Sequence, residues 1–182
     1  MNIFEDNPII PAIHTREDFD EAVKSHLNII FLLKTNIFNL KEYANAAHKH
    51  GKKVFVHADM IEGVARDNYG IEYIAKCGVD GILSTRINIL KQARELKLYT
   101  IQRFFIIDNH SFDTAIESMK MFMPDMMEIM PGVVPKIIEK FKASVNIPII
   151  AGGLIETKKE ILDALKAGAS SISTSNNKLW YS

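Results

Sequence analysis

Short apolar runs recur along the chain, and each is followed by a stretch with helical periodicity. The runs are Ile9–Ile13, Asn28–Leu33, Lys53–Ala58, Gly81–Ser84, Thr100–Ile107, Met126–Met130, Ile147–Ala151 and Ser171–Thr174. They are rich in Ile, Val, Leu and Phe, which predicts strands, with helices between them. Successive starts lie 19 to 28 residues apart, the length of one strand plus one helix. Strands that alternate with helices pair in parallel. The helical stretches carry their own punctuation. Thr15 with Asp18, Asn39 with Glu42, and Thr157 with Glu160 read as N-caps with an acidic residue three positions on. Gly51, Gly78 and Gly168 stand where a left-handed residue would end a helix.

Eight such units predict an α/β fold, a compact TIM-type (β/α) barrel, with an open doubly wound sheet as the rival. A barrel typically takes about 250 residues and rarely fewer than 200; this chain has 182. Helices must be short and loops minimal. Only Asn176 to Ser182 follow the eighth run, too few for a closing helix. A seven-stranded, incomplete barrel and a closed eight-stranded one both remain open. No linker or low-complexity break interrupts the chain, so residues 1–182 are expected to form a single barrel domain.

Alternation along a strand sorts side chains between the two faces. Phe55, His57 and Asp59 share one face, and Val54, Val56 and Ala58 the other, which must meet the helices. By the same parity Met126, Glu128 and Met130 point inward. In Thr100–Phe105, either Gln102 or Arg103 faces the interior, and parity alone leaves the choice open. An inward arginine needs a partner, and Glu128 on the next strand is the obvious one.

Composition narrows the function. The chain is 47% apolar and 24% charged with a formal net charge of zero. A disordered tail, a collagen-like chain and a coiled coil are excluded, as is a strongly basic nucleic-acid-binding domain. A lone cysteine, Cys77, builds neither a disulfide framework nor a cysteine zinc site. The N-terminus lacks the pattern of a signal peptide, and no apolar run nears the roughly 20 residues of a membrane span. A cytoplasmic protein without a membrane partner is expected.

Two stretches carry the sharpest chemistry. The seventh strand runs into Ala151-Gly152-Gly153-Leu154-Ile155, and the eighth into Ser173-Thr174-Ser175-Asn176. In phosphate-binding barrels the anion rests on the loops after these strands. Glycine lets the backbone approach, its N–H groups point at the anion, and hydroxyls add donors. Gly152, Gly153, Thr174, Ser175 and Asn176 are therefore the candidate phosphate ligands. A tight strand–helix turn with a polar strand end is the plain alternative. Other strand ends supply His14, Lys34, His57 with Asp59, Thr85, Asp108 and Glu128. The group His57, Asp59, Glu128 and Arg103 could move protons, hold polyol hydroxyls or bind a divalent metal; Arg103–Glu128 could equally be an interior ion pair. The basic residues Lys91, Arg94, Lys97, Lys136, Lys140, Lys158 and Lys159 read as solvated helix faces and are the only candidates for an RNA surface.

Together, His57-Ala58-Asp59-Met60-Ile61-Glu62-Gly63, Ile101–Asp108, Glu128-Ile129-Met130-Pro131-Gly132, Ile149–Ile155 and Ser171–Trp180 resemble the motifs of glycerol-3-phosphate-responsive antiterminators, the glycerol uptake operon regulators of bacteria. The resemblance spans nearly the whole chain, with five motifs in order. It implies a compact barrel that binds glycerol 3-phosphate and then leader messenger RNA, preventing early termination of glycerol-utilisation transcripts. It also implies that Gly152, Gly153, Thr174 and Ser175 hold the phosphate. Asp59, Glu62, Arg103 and Glu128, with His57, become candidates for the glycerol end or its framework. No metal site is assigned and no cofactor is expected beside the ligand; a homo-oligomer is compatible with this reading. Ala58 departs from the larger apolar residue expected there. The alternative is a barrel enzyme acting on a small phosphorylated polyol, of phosphodiesterase, isomerase or aldolase type, with Lys34 as the sole candidate Schiff-base lysine.

Overall fold

The computed structural model describes residues 8–181. In order, the elements are β1 (Ile9–Ile13), α1 (Arg16–Lys24), β2 (Ile29–Leu32), β3 (Thr35–Asn36), α2 (Leu40–Lys49), β4 (Lys53–His57), β5 (Ile61–Glu62) and α3 (Asn68–Lys76). There follow β6 (Gly81–Ser84), α4 (Ile87–Glu95), β7 (Tyr99–Phe105), α5 (Asn109–Met121), β8 (Met126–Met130), α6 (Pro135–Ser144), β9 (Ile149–Gly152), α7 (Lys158–Lys166) and β10 (Ser171–Thr174). Eight strands close a parallel barrel in the order β1-β2-β4-β6-β7-β8-β9-β10. Closure is made by β10 on β1, with Ile9 opposite Ile172 and Pro11 opposite Thr174. The closed barrel removes both the open sheet and the incomplete barrel. The remaining strands, β3 and β5, form a two-stranded parallel ribbon above it, pairing Thr35 with Ile61.

The short chain manages eight units by economy. Among the described residues no α-helix exceeds the 13 residues of α5. After β10 there is only a single 3-10 turn, Asn177–Leu179. Trp180, fully buried, joins the outer apolar layer with Leu179 in place of a helix. No helix of the described residues is long and apolar enough to cross a membrane.

Two apolar layers follow the predicted parity. Ile10, Ile29, Phe31, Phe55, Leu83, Ile101, Met126 and Ile150 fill the barrel interior. Val54, Val56, Met127 and Ile129 lie in the layer between strands and helices. Gln102 belongs to the outer face, where its Nε2 donates to Ser118 Oγ on α5 at 2.7 Å. Arg103 is therefore the inward residue. Thr15 and Thr157 cap α1 and α7, the second in a reciprocal box with Glu160. Gly51, Gly78 and Gly168 all adopt positive φ at helix ends. Asn39 precedes α2 without capping it. Its Oδ1 accepts instead from Thr35 Oγ1 and Asn36 N, at 2.7 and 3.1 Å, tying down the ribbon.

Candidate functional site

Register brings three polar side chains to one level inside the barrel. Arg103 on β7 lies opposite Glu128 on β8, and Ser173 on β10 lies opposite Gly152 on β9. Arg103 Nε donates to Glu128 Oε2 at 2.6 Å, and Ser173 Oγ donates to Oε1 at 2.5 Å. The carboxylate thus reaches across β9, which only glycine permits: a Cβ at Gly152 would stand 2.5 Å from Glu128 Oε1. Glu128 is fully buried and Arg103 is 7% exposed. A buried charge pair holds only when its remaining groups are satisfied. Glu128 meets this on both oxygens. Arg103 does not, since its terminal nitrogens have no acceptor among the described residues, and the side chain lines a cavity of about 490 Å³.

That cavity opens at the C-terminal end of the barrel, where loops over parallel strands collect function. Its walls include Ala12 in β1 and His14 after it, Leu33 after β2, Met130, Gly153 to Glu156 after β9, and Ser173 to Asn176 at the end of β10 and beyond. The two loops of the predicted phosphate site brace each other. Thr174 Oγ1 donates to the Ile155 carbonyl at 3.0 Å and accepts from Asn176 N at 3.1 Å. Asn176 Nδ2 donates to the Glu156 carbonyl at 3.2 Å, and its Oδ1 accepts from Lys178 N at 3.2 Å. Trp180 Nε1 donates to the Thr174 carbonyl at 3.0 Å. The side chains of Thr174 and Asn176 are thereby occupied in shaping the loops. Gly153 and Leu154 both have positive φ, 77° and 60°. For leucine that conformation is sterically costly, yet Leu154 is 70% exposed on the rim. The N–H groups of Gly153, Leu154 and Ser175 have no acceptor among the described residues.

The four-residue polar group read from the sequence divides in two. Arg103 lines the cavity, with Glu128 buried behind it. His57 and Asp59 sit on the other side of the mouth, outside its lining. Asp59, on a 3-10 turn after β4, accepts from Ser84 Oγ at 2.8 Å and Thr85 N at 3.0 Å, with Arg86 Nε at 3.4 Å. It ties the end of β4 to the loop after β6. His57 Nε2 lies 3.6 Å from the Asp59 carboxylate and has no hydrogen-bond partner among the described residues. Burial, reinforced by the Arg103 charge and only partly offset by Asp59, lowers the His57 pKa to about 4. Its imidazole is neutral at pH 7.

Glu62 lies apart from these residues. It is exposed on the β5 ribbon and lines a smaller neighbouring pocket with Lys34. Asp108 is the N-cap of α5, in a box with Ser111. Arg94 donates to Thr100 Oγ1 and the Met123 carbonyl, a structural task rather than a free basic face. His14, Leu33, Met130, Leu154 and Glu156 line the cavity without having been assigned to it. His14 was visible as a strand end. Its place beside the β10 loop follows only once β1 and β10 pair. Among the described residues, no group of three or more His, Cys, Asp or Glu assembles that could hold a metal.

A family model described as glycerol-3-phosphate responsive antiterminator matches residues 9–180. The chain belongs to that family. A solved glycerol uptake operon antiterminator regulatory protein from Listeria monocytogenes is 35% identical, with a TM-score of 0.94, covering 98% of this chain and 97% of its own. An antiterminator-related protein from Thermotoga maritima is 32% identical at a TM-score of 0.87, covering 97% of this chain and 99% of its own. The YgcP protein of Escherichia coli K12, itself uncharacterized, is 30% identical over 99% of this chain and 95% of its own length. Barrel aldolases at 13–14% identity share the fold alone.

Proposed function

We propose that this family member senses glycerol 3-phosphate and, in the ligand-bound state, binds the leader messenger RNA of glycerol-utilisation genes and prevents premature termination. The observation that carries the reading is the Arg103 fork. Glu128 holds its Nε, while the terminal nitrogens face the cavity beside three free backbone N–H groups. Guanidinium forks and convergent N–H groups suit oxyanions and hydroxyls. The phosphate, largely dianionic at pH 7, sits on Gly153, Leu154 and Ser175. The glycerol hydroxyls extend inward to Arg103. Gly152 acts by leaving room for Glu128, and Thr174 and Asn176 act by holding the two loops together.

Coupling to RNA requires that the ligand bind the RNA-competent state more tightly than the other state. The cross-braced loops give such a preference a physical route, since one occupant touches both. The test is a phosphorus NMR titration of sn-glycerol 3-phosphate followed for hours, together with gel shifts on an operon leader. A shifted resonance with no new peak, and an RNA shift that needs ligand and weakens with salt, is the expected result. A new phosphorus peak growing with time would instead mean an enzyme. Among the described residues no lysine lines the cavity, so a Schiff-base aldolase lacks its nucleophile there.

A further inference from the structure

His14 lines two spaces. One is the ligand cavity; the other is a neighbouring pocket of about 180 Å³, bounded by Lys34, Asn36, Asn39, Tyr43 and Glu62. This pocket is built under the β3–β5 ribbon and contains groups that the fold does not use. Tyr43 is 7% exposed, with its ring edge-on to Phe19 at 4.5 Å and the Arg16 guanidinium 5.3 Å from its centre. Its hydroxyl makes no hydrogen bond among the described residues, and the oxygen is not sealed off but opens into the pocket. Asn39 Oδ1 is occupied by Thr35 and Asn36, which leaves its amide N–H₂ as donor. Lys34 and Glu62 have no ion-pair partner among the described residues.

The pocket therefore offers an ammonium, an amide donor, a phenolic hydroxyl and a carboxylate side by side. A second phosphate is a poor occupant, because Glu62 would repel it. A polar alcohol, with hydroxyl or amine hydrogens to give and oxygens to receive, uses every one of these groups. The main cavity, at about 490 Å³, is also in the size range of ligands larger than a three-carbon phosphate monoester.

We infer that the ligand class extends to glycerophosphodiesters. Their phosphate rests by Gly153 and Ser175, the glycerol reaches Arg103, and the second alcohol passes His14 into the pocket of Tyr43 and Glu62. The placement of the phosphate rests on the proposed function. The second alcohol is a polyol or an amino alcohol, and Glu62 distinguishes the two.

The test measures binding of three compounds to the intact chain by calorimetry: sn-glycerol 3-phosphate, glycerophosphoglycerol and glycerophosphoethanolamine. Wild type is expected to bind all three. Tyr43→Phe, which keeps the packed ring, is expected to weaken both diesters by about three- to tenfold, one hydrogen bond's worth, and to leave the monoester unchanged. Glu62→Gln is expected to weaken the ethanolamine diester more than the glycerol diester. Monoester binding without diester binding would overturn the inference and leave the sensor reading standing. So would diesters indifferent to both substitutions. Diester binding that responds to Tyr43→Phe, with no monoester binding, would support the pocket and sink the sensor reading. Binding of none would overturn both.

Discussion

Arg103 is held at its Nε by a fully buried carboxylate and cannot turn away from the cavity it floors. Two consequences follow at the scale of single residues. Arg103→Ala leaves Glu128 buried without its cation and is expected to destabilise the fold by about 3–5 kcal/mol, read by urea unfolding, as well as to remove ligand binding. The double substitution Arg103→Met with Glu128→Leu removes both charges and should lose far less stability, while still failing to bind. Equal losses from the single and double variants would mean the pair is not the anchor described. His57 makes the second prediction. Its folded pKa of about 4 lies below the ordinary 6.5. Between those values the unfolded chain binds a proton that the folded chain does not, so stability is full above pH 6.5 and falls as pH drops toward 4. The loss is on the order of 3 kcal/mol. His57→Gln should flatten that limb of the stability curve. At this scale the sequence was legible where a residue acts locally, as Thr15 and Thr157 do. It was silent between Gln102 and Arg103, because both are polar and only the partner across the sheet, Ser118 or Glu128, separates them.

Among the elements, β9 is the one whose glycine decides the site. Gly152→Ala would press a methyl group into Glu128 and Ser173. It is expected to lower the melting temperature and abolish binding of sn-glycerol 3-phosphate together. Gly51→Ala, at a helix end with open space around it and φ of 71°, should cost only the left-handed penalty of roughly 1–2 kcal/mol and leave binding intact. A Gly152→Ala protein that still binds normally would refute the account of β9. The barrel strands could be read from the sequence because each carries four or more residues at a regular strand–helix interval, and all but the serine-rich β10 have an apolar bias. The ribbon could not, since β3 and β5 are two residues each and show no period. Missing it hid the separate place of Glu62 and made Asn39 look like a side-chain cap, when its side chain serves the ribbon instead.

The whole molecule has an uneven mouth. The loops after β9 and β10, with the ends of β1 and β2, surround the cavity, whereas the β4–β6 side is closed by Asp59 bridging to Ser84 and Thr85. Binding should therefore stiffen one side more than the other, visible as hydrogen-exchange protection centred on Gly153 to Glu156 and Ser175 to Asn176. With sn-glycerol 3-phosphate at about a hundred times its Kd, stability should rise by about 2.7 kcal/mol; no thermal shift at any concentration would count against the ligand. The repeating strand–helix interval made the barrel legible from the start, but its closure was not, because the eight residues after β10 leave no room for a helix like those of the other units. Trp180 supplied what the pattern lacked. It is the only tryptophan in the chain, it is shielded from water, and its indole N–H holds the carbonyl of Thr174, next to Ser175. The protein thus carries a single built-in fluorophore wired to the loop a ligand would touch. Its emission can report occupancy in untagged protein, without a dye and in the presence of RNA.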